Sequence, residues 1–206
     1  KHKKPRKILA EISFKLLTKK PENLVAVTGT NGKSSVSDFY YQILNLNNKR
    51  SASIGTVGIQ FDNKNKTIGN TTLDPITLME TINHLSKKKI KNIVLEASSH
   101  GLKQNRLDGL IFDIGIFTNL SHDHLDYHKN FKDYLNSKLY LFKFLVKNKG
   151  IVITDSTIPQ YKFLKKIADK RKLKLLKIYS KNSDLELISH KYENEQQILK
   201  VKIKNK

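Results

Sequence analysis

The run Val27-Thr28-Gly29-Thr30-Asn31-Gly32-Lys33-Ser34-Ser35 constrains this chain more than any other stretch, because it joins an apolar run to a helical one through two glycines. Leu24-Val25-Ala26-Val27 has the length of a buried strand, and over 35–46 the residues Val36, Phe39, Tyr40, Ile43 and Leu44 recur at helical spacing. Strand, glycine loop and helix in that order are the setting of a phosphate-binding loop. Gly29 and Gly32 let the backbone curl so that successive N–H groups point inward, and the start of the next helix adds positive dipole character where phosphate oxygens would sit. Lys33 can reach the terminal phosphates and the Ser34 hydroxyl can ligate Mg2+. The loop is a variant, with Val27 where the pattern G-x-x-x-x-G-K-[ST] has its first glycine. Gly29, Thr30, Asn31, Gly32, Lys33, Ser34 and Ser35 are the candidate ATP-binding residues.

Strand and helix signals then alternate. Helices are predicted over 76–87, 131–146 and 159–172, and strands over 92–96, 112–117, 151–153 and 175–179. This pattern implies an α/β fold with a mostly parallel sheet and helices on both faces. Two antiparallel hairpins are added to it, over 59–68 with a turn at Asp62-Asn63-Lys64 and over 185–203 with a turn near Glu193-Asn194-Glu195. Pro5 and the spacing Ile8, Ile12, Leu16 predict an amphipathic helix to about residue 17, so that 1–23 reads as a leading helix and linker and 24–206 as the nucleotide-binding domain.

Composition narrows the class without choosing a partner. The 39 Lys and Arg against 18 Asp and Glu give a net charge of +21, which would attract nucleic acid, an anionic surface or phosphorylated substrates. Lys, Asn and Ile are enriched together and evenly, which favours a solvated surface over a dedicated nucleic-acid module. With no Cys there is no disulfide framework and no thiol nucleophile, in keeping with a cytoplasmic protein. No run approaches the roughly 18 apolar residues of a membrane span, so membrane insertion is not expected. The start at Lys rather than Met and the strand-like run at the end suggest a fragment.

Beyond the loop, Ile93-Val94-Leu95-Glu96 is an apolar strand ending in a carboxylate, and Glu96 is a candidate ligand for a nucleotide-bound metal. Alone it reads equally as an acid at a strand end. Ser98-Ser99-His100 next to it could suggest a hydrolase triad, but triads are recognised by geometry and not by adjacency. A polar loop gripping a substrate, with Gln104 and Arg106 following, is the other reading. His122-Asp123-His124-Leu125-Asp126-Tyr127-His128 is dense in ligand-type side chains, which leaves a transition-metal site, a share in a Mg2+ site or a loop-structuring role open. A histidine on Mg2+ would be unusual, since hard cations prefer oxygen.

Together, Thr28 to Ser34, Asn70-Thr71-Thr72, Glu96-Ala97-Ser98-Ser99-His100-Gly101-Leu102 and Thr118 to His128 resemble the Mur ligases. The likeness is to the branch that adds the third residue of the peptidoglycan stem peptide. It implies a P-loop ATPase core of Mur ligase type, with ATP and Mg2+ as cofactors and UDP-MurNAc-L-Ala-D-Glu and an amino acid, meso-diaminopimelate or L-lysine, as substrates. By the same resemblance Lys33 and Ser34 handle phosphates and metal, and Glu96 and His124 are further metal ligands. Asn70, Thr71, Thr72, Ser98, Gln104 and Arg106 match substrate-holding positions. Lys138, fourteen residues after His124, matches a lysine that the family carries as a carbamate, an anion on the metal side. Lys33, His124 and Lys138 are the residues expected to serve catalysis.

The expected reaction is transfer of the terminal phosphoryl group of ATP to a carboxylate, followed by attack of an amine on the acyl phosphate. Carbamylation needs a neutral amine, which an ordinary lysine supplies in only about one molecule in 2,500 at pH 7. Leu73 stands where the family more often has Pro or Gly, and Ser34 replaces the commoner Thr. The resemblance also implies that an N-terminal uridine-binding domain and a C-terminal domain are absent, so that this chain alone does not turn over. Folylpolyglutamate synthase, which shares the loop and the ligation chemistry, is the nearest rival.

Overall fold

The computed structural model describes residues 3–124 and 126–204; Leu125, inside the histidine-rich block, lies outside them. The first half of the chain forms α1 (Pro5–Lys15), β1 (Asn23–Thr28), α2 (Lys33–Leu46), β2 (Ser51–Gly55), β3 (Gly58–Phe61), β4 (Lys64–Lys66), α3 (Pro75–Lys87), β5 (Asn92–Glu96) and α4 (Ser99–Lys103). The second half forms β6 (Phe112–Phe117), α5 (Phe131–Tyr140) with a π-helical turn at Leu141–Leu145, β7 (Val146–Asp155), α6 (Tyr161–Arg171), β8 (Lys174–Tyr179), β9 (Leu185–Glu193) and β10 (Gln196–Ile203). All ten strands join one sheet in the order β10-β9-β8-β7-β6-β1-β5-β2-β3-β4.

β1 lies between β5 and β6 and runs parallel to both, with Val27 opposite Glu96 and Thr28 opposite Phe117. Parallel neighbours need crossovers long enough to hold a helix, and the alternating sequence supplies them. The carboxyl ends of these strands therefore meet on one edge, where open α/β sheets bind ligands. Val25 and Val27 face α2, against Val36 and Tyr40. Leu24 and Ala26 face the larger core, which takes Phe14 of α1, Leu78, Ile82 and Leu85 of α3, Leu139 of α5 and Leu164 of α6. Each such side chain contributes on the order of 1.5–3 kcal/mol by leaving water.

The hairpins form as the spacing predicts: β3 with β4, turning through Asp62 and Asn63, and β9 with β10, turning through Asn194 and Glu195. All four turn residues have positive φ, as tight two-residue hairpin turns require. Several local expectations are corrected. α1 buries Ala10, Ser13 and Phe14, while Ile12 and Leu16 of the apolar stripe are exposed. This face lies against Gly109, whose lack of a side chain lets the helix approach; a Cβ there would lie 3.0 Å from the Glu11 Cα and 3.4 Å from the Phe14 Cβ.

β2 carries little apolar signal in Ser51-Ala52-Ser53, yet it is buried between β5 and β3. The helix expected to reach residue 146 ends at Tyr140; the π-helical turn carries Leu141, Phe142 and Leu145 into the core, and Val146 is already extended. Helical spacing of apolar residues continues through such a turn, so periodicity alone does not reveal it. The stretch after Glu96, read as a polar loop, contains the short helix α4, capped by Ser98.

Candidate functional site

Gly29 has φ +154°, and a Cβ on it would fall 1.8 Å from Thr118 Oγ1, so only glycine fits. The crowding comes from the segment after β6, which clamps the loop. Thr30 N–H donates to Asn119 O (3.0 Å), Asn31 N–H to Asn119 Oδ1 (2.9 Å), and Thr118 Oγ1 to Asn31 O (2.6 Å). These bonds change one expectation. The Thr30 and Asn31 amides are already used, and the amides left for a phosphate are those of the first turn of α2, which have no intrahelical acceptor. Gly32, at φ +79°, turns the chain into that helix. Lys33 lies folded back, its Nζ donating to Gly29 O (3.1 Å) and Thr30 O (2.8 Å); burial lowers its pKa against the opposing pull of Glu96 and Asp123. Asn31 and Ser35 are exposed.

Beside the loop, Ser34 Oγ donates to Glu96 Oε2 at 3.1 Å. Glu96 is buried, and its other oxygen accepts from Thr56 N–H at 2.8 Å. A Cβ at Gly55 would sit 2.1 Å from Glu96 Oε1, so this glycine makes room for the carboxylate. Thr56 is a residue that sequence reasoning missed, and its only signal is a glycine-bracketed turn, Gly55-Thr56-Val57-Gly58.

Apart from Asn70, the expected substrate-side residues fall into one bonded network. Thr72 is buried; its hydroxyl donates to Glu96 O (2.7 Å) and accepts from Ser98 N–H (2.9 Å). Arg106 donates to Thr72 O (2.6 Å) and to Gln104 Oε1 (3.0 Å), while Gln104 donates to the Tyr127 hydroxyl (3.0 Å). Thr71 meets Thr56 through their hydroxyls at 3.0 Å, and Asn70 is exposed. Leu73, the departure from the family pattern, is buried in the core.

Lys138 is 1% exposed and donates from Nζ to Gly29 O at 2.7 Å, the carbonyl that Lys33 also contacts. Burial, and then the charge of Lys33, lowers its pKa to about 7. His124 adopts φ +54°, half-exposed, with its ring 5.0 Å from that of His100. His100 stacks on Tyr127 at 3.9 Å rather than engaging Ser98 or Ser99. Among the described residues no group of three or more His, Asp or Glu side chains converges closely enough to hold a metal ion. The Ser34 hydroxyl and the Glu96 carboxylate set two hard oxygens side by side, a donor pair of the kind hard cations prefer.

Residues 27–206 match the family model described as Mur ligase middle domain. The chain belongs to this family. The UDP-N-acetylmuramoyl-L-alanyl-D-glutamate--2,6-diaminopimelate ligase of Rickettsia bellii is 45% identical to the Mur ligase domain described here over 162 residues, 77% of this chain and 34% of that protein. A solved structure of a ligase of the same name superimposes with a TM-score of 0.85 at 28% identity, covering 95% of this chain and 41% of that one. Mycobacterium tuberculosis folylpolyglutamate synthase complexed with ADP gives 0.70 at 11% identity, with 95% of this chain and 49% of that one covered, a likeness of fold alone. The chain thus spans about a third of the length of the first curated relative. Among the described residues no helix is long and apolar enough to cross a membrane.

Proposed function

We propose that this domain is the ATP-binding part of a ligase that joins 2,6-diaminopimelate to UDP-MurNAc-L-Ala-D-Glu through an acyl phosphate, in the cytoplasm. The observation that carries the proposal is the contact of Ser34 with Glu96 at the mouth of a glycine loop, which sets two hard oxygen ligands beside a phosphate cradle. Ser34 and Glu96 would hold Mg2+, with His124 and carbamylated Lys138 as the further ligands, and the ion would supply positive charge beside the phosphates.

The chain's own residues supply the rest. Lys33 leaves the carbonyls of Gly29 and Thr30 for the terminal phosphate, where a unit charge pair at 4 Å is worth about 4 kcal/mol at an effective dielectric of 20. First-turn amides of α2 receive phosphate oxygens. A pKa of about 7 supports carbamylation of Lys138, because roughly half of such amines are neutral at pH 7. Asn70, Thr71, Thr72, Ser98, Gln104 and Arg106 form the substrate side, with Thr72 and Arg106 acting through the backbone they brace.

A chimera tests the proposal: residues 27–206 replace the corresponding part of the Rickettsia bellii ligase. The expected result is release of phosphate that requires both UDP-MurNAc-L-Ala-D-Glu and diaminopimelate. Phosphate release driven by a folate and glutamate instead would overturn it in favour of the rival.

A further inference from the structure

The mechanism above leaves out a side chain that touches three of its parts. Tyr134 is wholly buried, and a buried phenol needs a partner for its hydroxyl. That partner is Thr30 Oγ1 in the phosphate loop, at 3.0 Å. Thr30 Oγ1 also accepts the Ser121 N–H at 3.0 Å and lies 3.4 Å from Ser121 O, so the Tyr134 hydroxyl closes a junction between the loop and the segment after β6. One helical turn along α5, Lys138 Nζ sits 4.5 Å above the Tyr134 ring, within cation–π range. The centre of that ring lies 4.9 Å from the centre of the tilted His128 ring and 6.1 Å from that of His124, which stands nearly perpendicular to it.

Phenylalanine would fill the same volume. The hydroxyl adds nothing to packing and would cost free energy without Thr30, so its presence is explained by the bond it makes.

We infer that Tyr134 is a positioning residue for the nucleotide site: its hydroxyl fixes Thr30 and so the Gly29-Thr30 carbonyls on which Lys33 and Lys138 rest, while its ring sets the height of Lys138. This deepens the nucleotide-site proposal and rests on it. Tyr134 does not touch the reacting atoms. It acts through Thr30 on the shape of the loop, and that predicts a dependence of its effect on Thr30 that a general packing role would not produce.

The test is a double-mutant cycle read by calorimetric titration of MgATP into the 206-residue chain, with thermal melts as a control for folding. Tyr134→Phe is expected to weaken binding roughly three- to tenfold, the scale of one neutral hydrogen bond. Thr30→Val should do at least as much and Thr30→Ser, which keeps the hydroxyl, much less. Adding Tyr134→Phe to Thr30→Val should cause no further loss. Wild-type affinity in Tyr134→Phe, or losses that multiply in the double variant, would overturn the inference. Should Tyr134→Phe melt before it can be titrated, the Thr30→Ser and Thr30→Val pair still decides, because equal affinities there remove the hydroxyl junction. A wild-type chain that binds no MgATP would be a different failure, sinking the nucleotide-site proposal and this inference with it.

Discussion

β1 is an apolar strand and β10 mixes Gln and Lys with its apolar residues, and the two live in different surroundings. From Leu24 onward β1 is buried at every position, paired on both edges and covered on both faces. β10 pairs only with β9, which itself meets β8 through Ile178 with Leu185 and Tyr179 with Glu186, and every residue of β10 is exposed. The difference lies in what each strand does at its end. β1 delivers a backbone that must curl in one way, so neighbours on all sides hold it; the outer hairpin is held by its own ladder and its turn. Packing is densest around the strand that carries the glycine loop.

Breaking the rigid end should cost most. Gly29→Ala forces a Cβ into Thr118 and a backbone angle that non-glycine residues rarely adopt, and should lower unfolding stability by roughly 3 kcal/mol while removing nucleotide binding, as chemical denaturation and titration would show. Lys33→Met leaves the backbone alone and should weaken MgATP binding by at least about tenfold with little change in the melting temperature.

An intermediate case sharpens the contrast. Asp74 caps α3 by accepting from the Ile76 and Thr77 amides, and Asp74→Ala should cost about 1 kcal/mol at pH 7. Desolvation by itself would raise the Asp74 pKa, but the bonds from Thr77 and Ile76 outweigh it and hold the carboxyl below its ordinary value. A depressed carboxylate contributes its stability above the unfolded value, near 3.9, and loses it as pH falls through the folded one. The gap between wild type and variant should therefore close in melts below about pH 4. At the other end of the scale, Val201→Thr on β10 should change stability by no more than about 0.5 kcal/mol. A larger loss there would show that the outer hairpin carries more of the fold than its exposure suggests.

Much of this architecture was legible in the chain. Asn92 to Glu96 and Phe112 to Phe117 are strands with the bounds that the sequence predicts, the first from its apolar run Ile93-Val94-Leu95 and the second from Ile114, Ile116 and Phe117 despite Asp113. What stayed hidden was set by neighbours. Ser51-Ala52-Ser53 becomes a strand because β5 and β3 offer it an edge on each side, and α1 turns Ala10, Ser13 and Phe14 inward where Gly109 leaves room for the helix to approach. At the site, Lys33, Ser34 and Glu96 were visible as motif positions, and register brings them together. Thr56 and Tyr134 were not, since each acts by gripping a partner far away in sequence and resembles any other polar or aromatic residue until the fold joins them.

The central claim is that the Ser34–Glu96 pair and the glycine loop form one nucleotide–metal site. Titrating ATP into the chain with and without Mg2+ tests it, alongside Glu96→Gln and Ser34→Ala. Mg2+ should strengthen binding to the wild-type chain, and both variants should lose most of this gain while keeping their metal-free affinity. Equal strengthening by Mg2+ in all three proteins would contradict it.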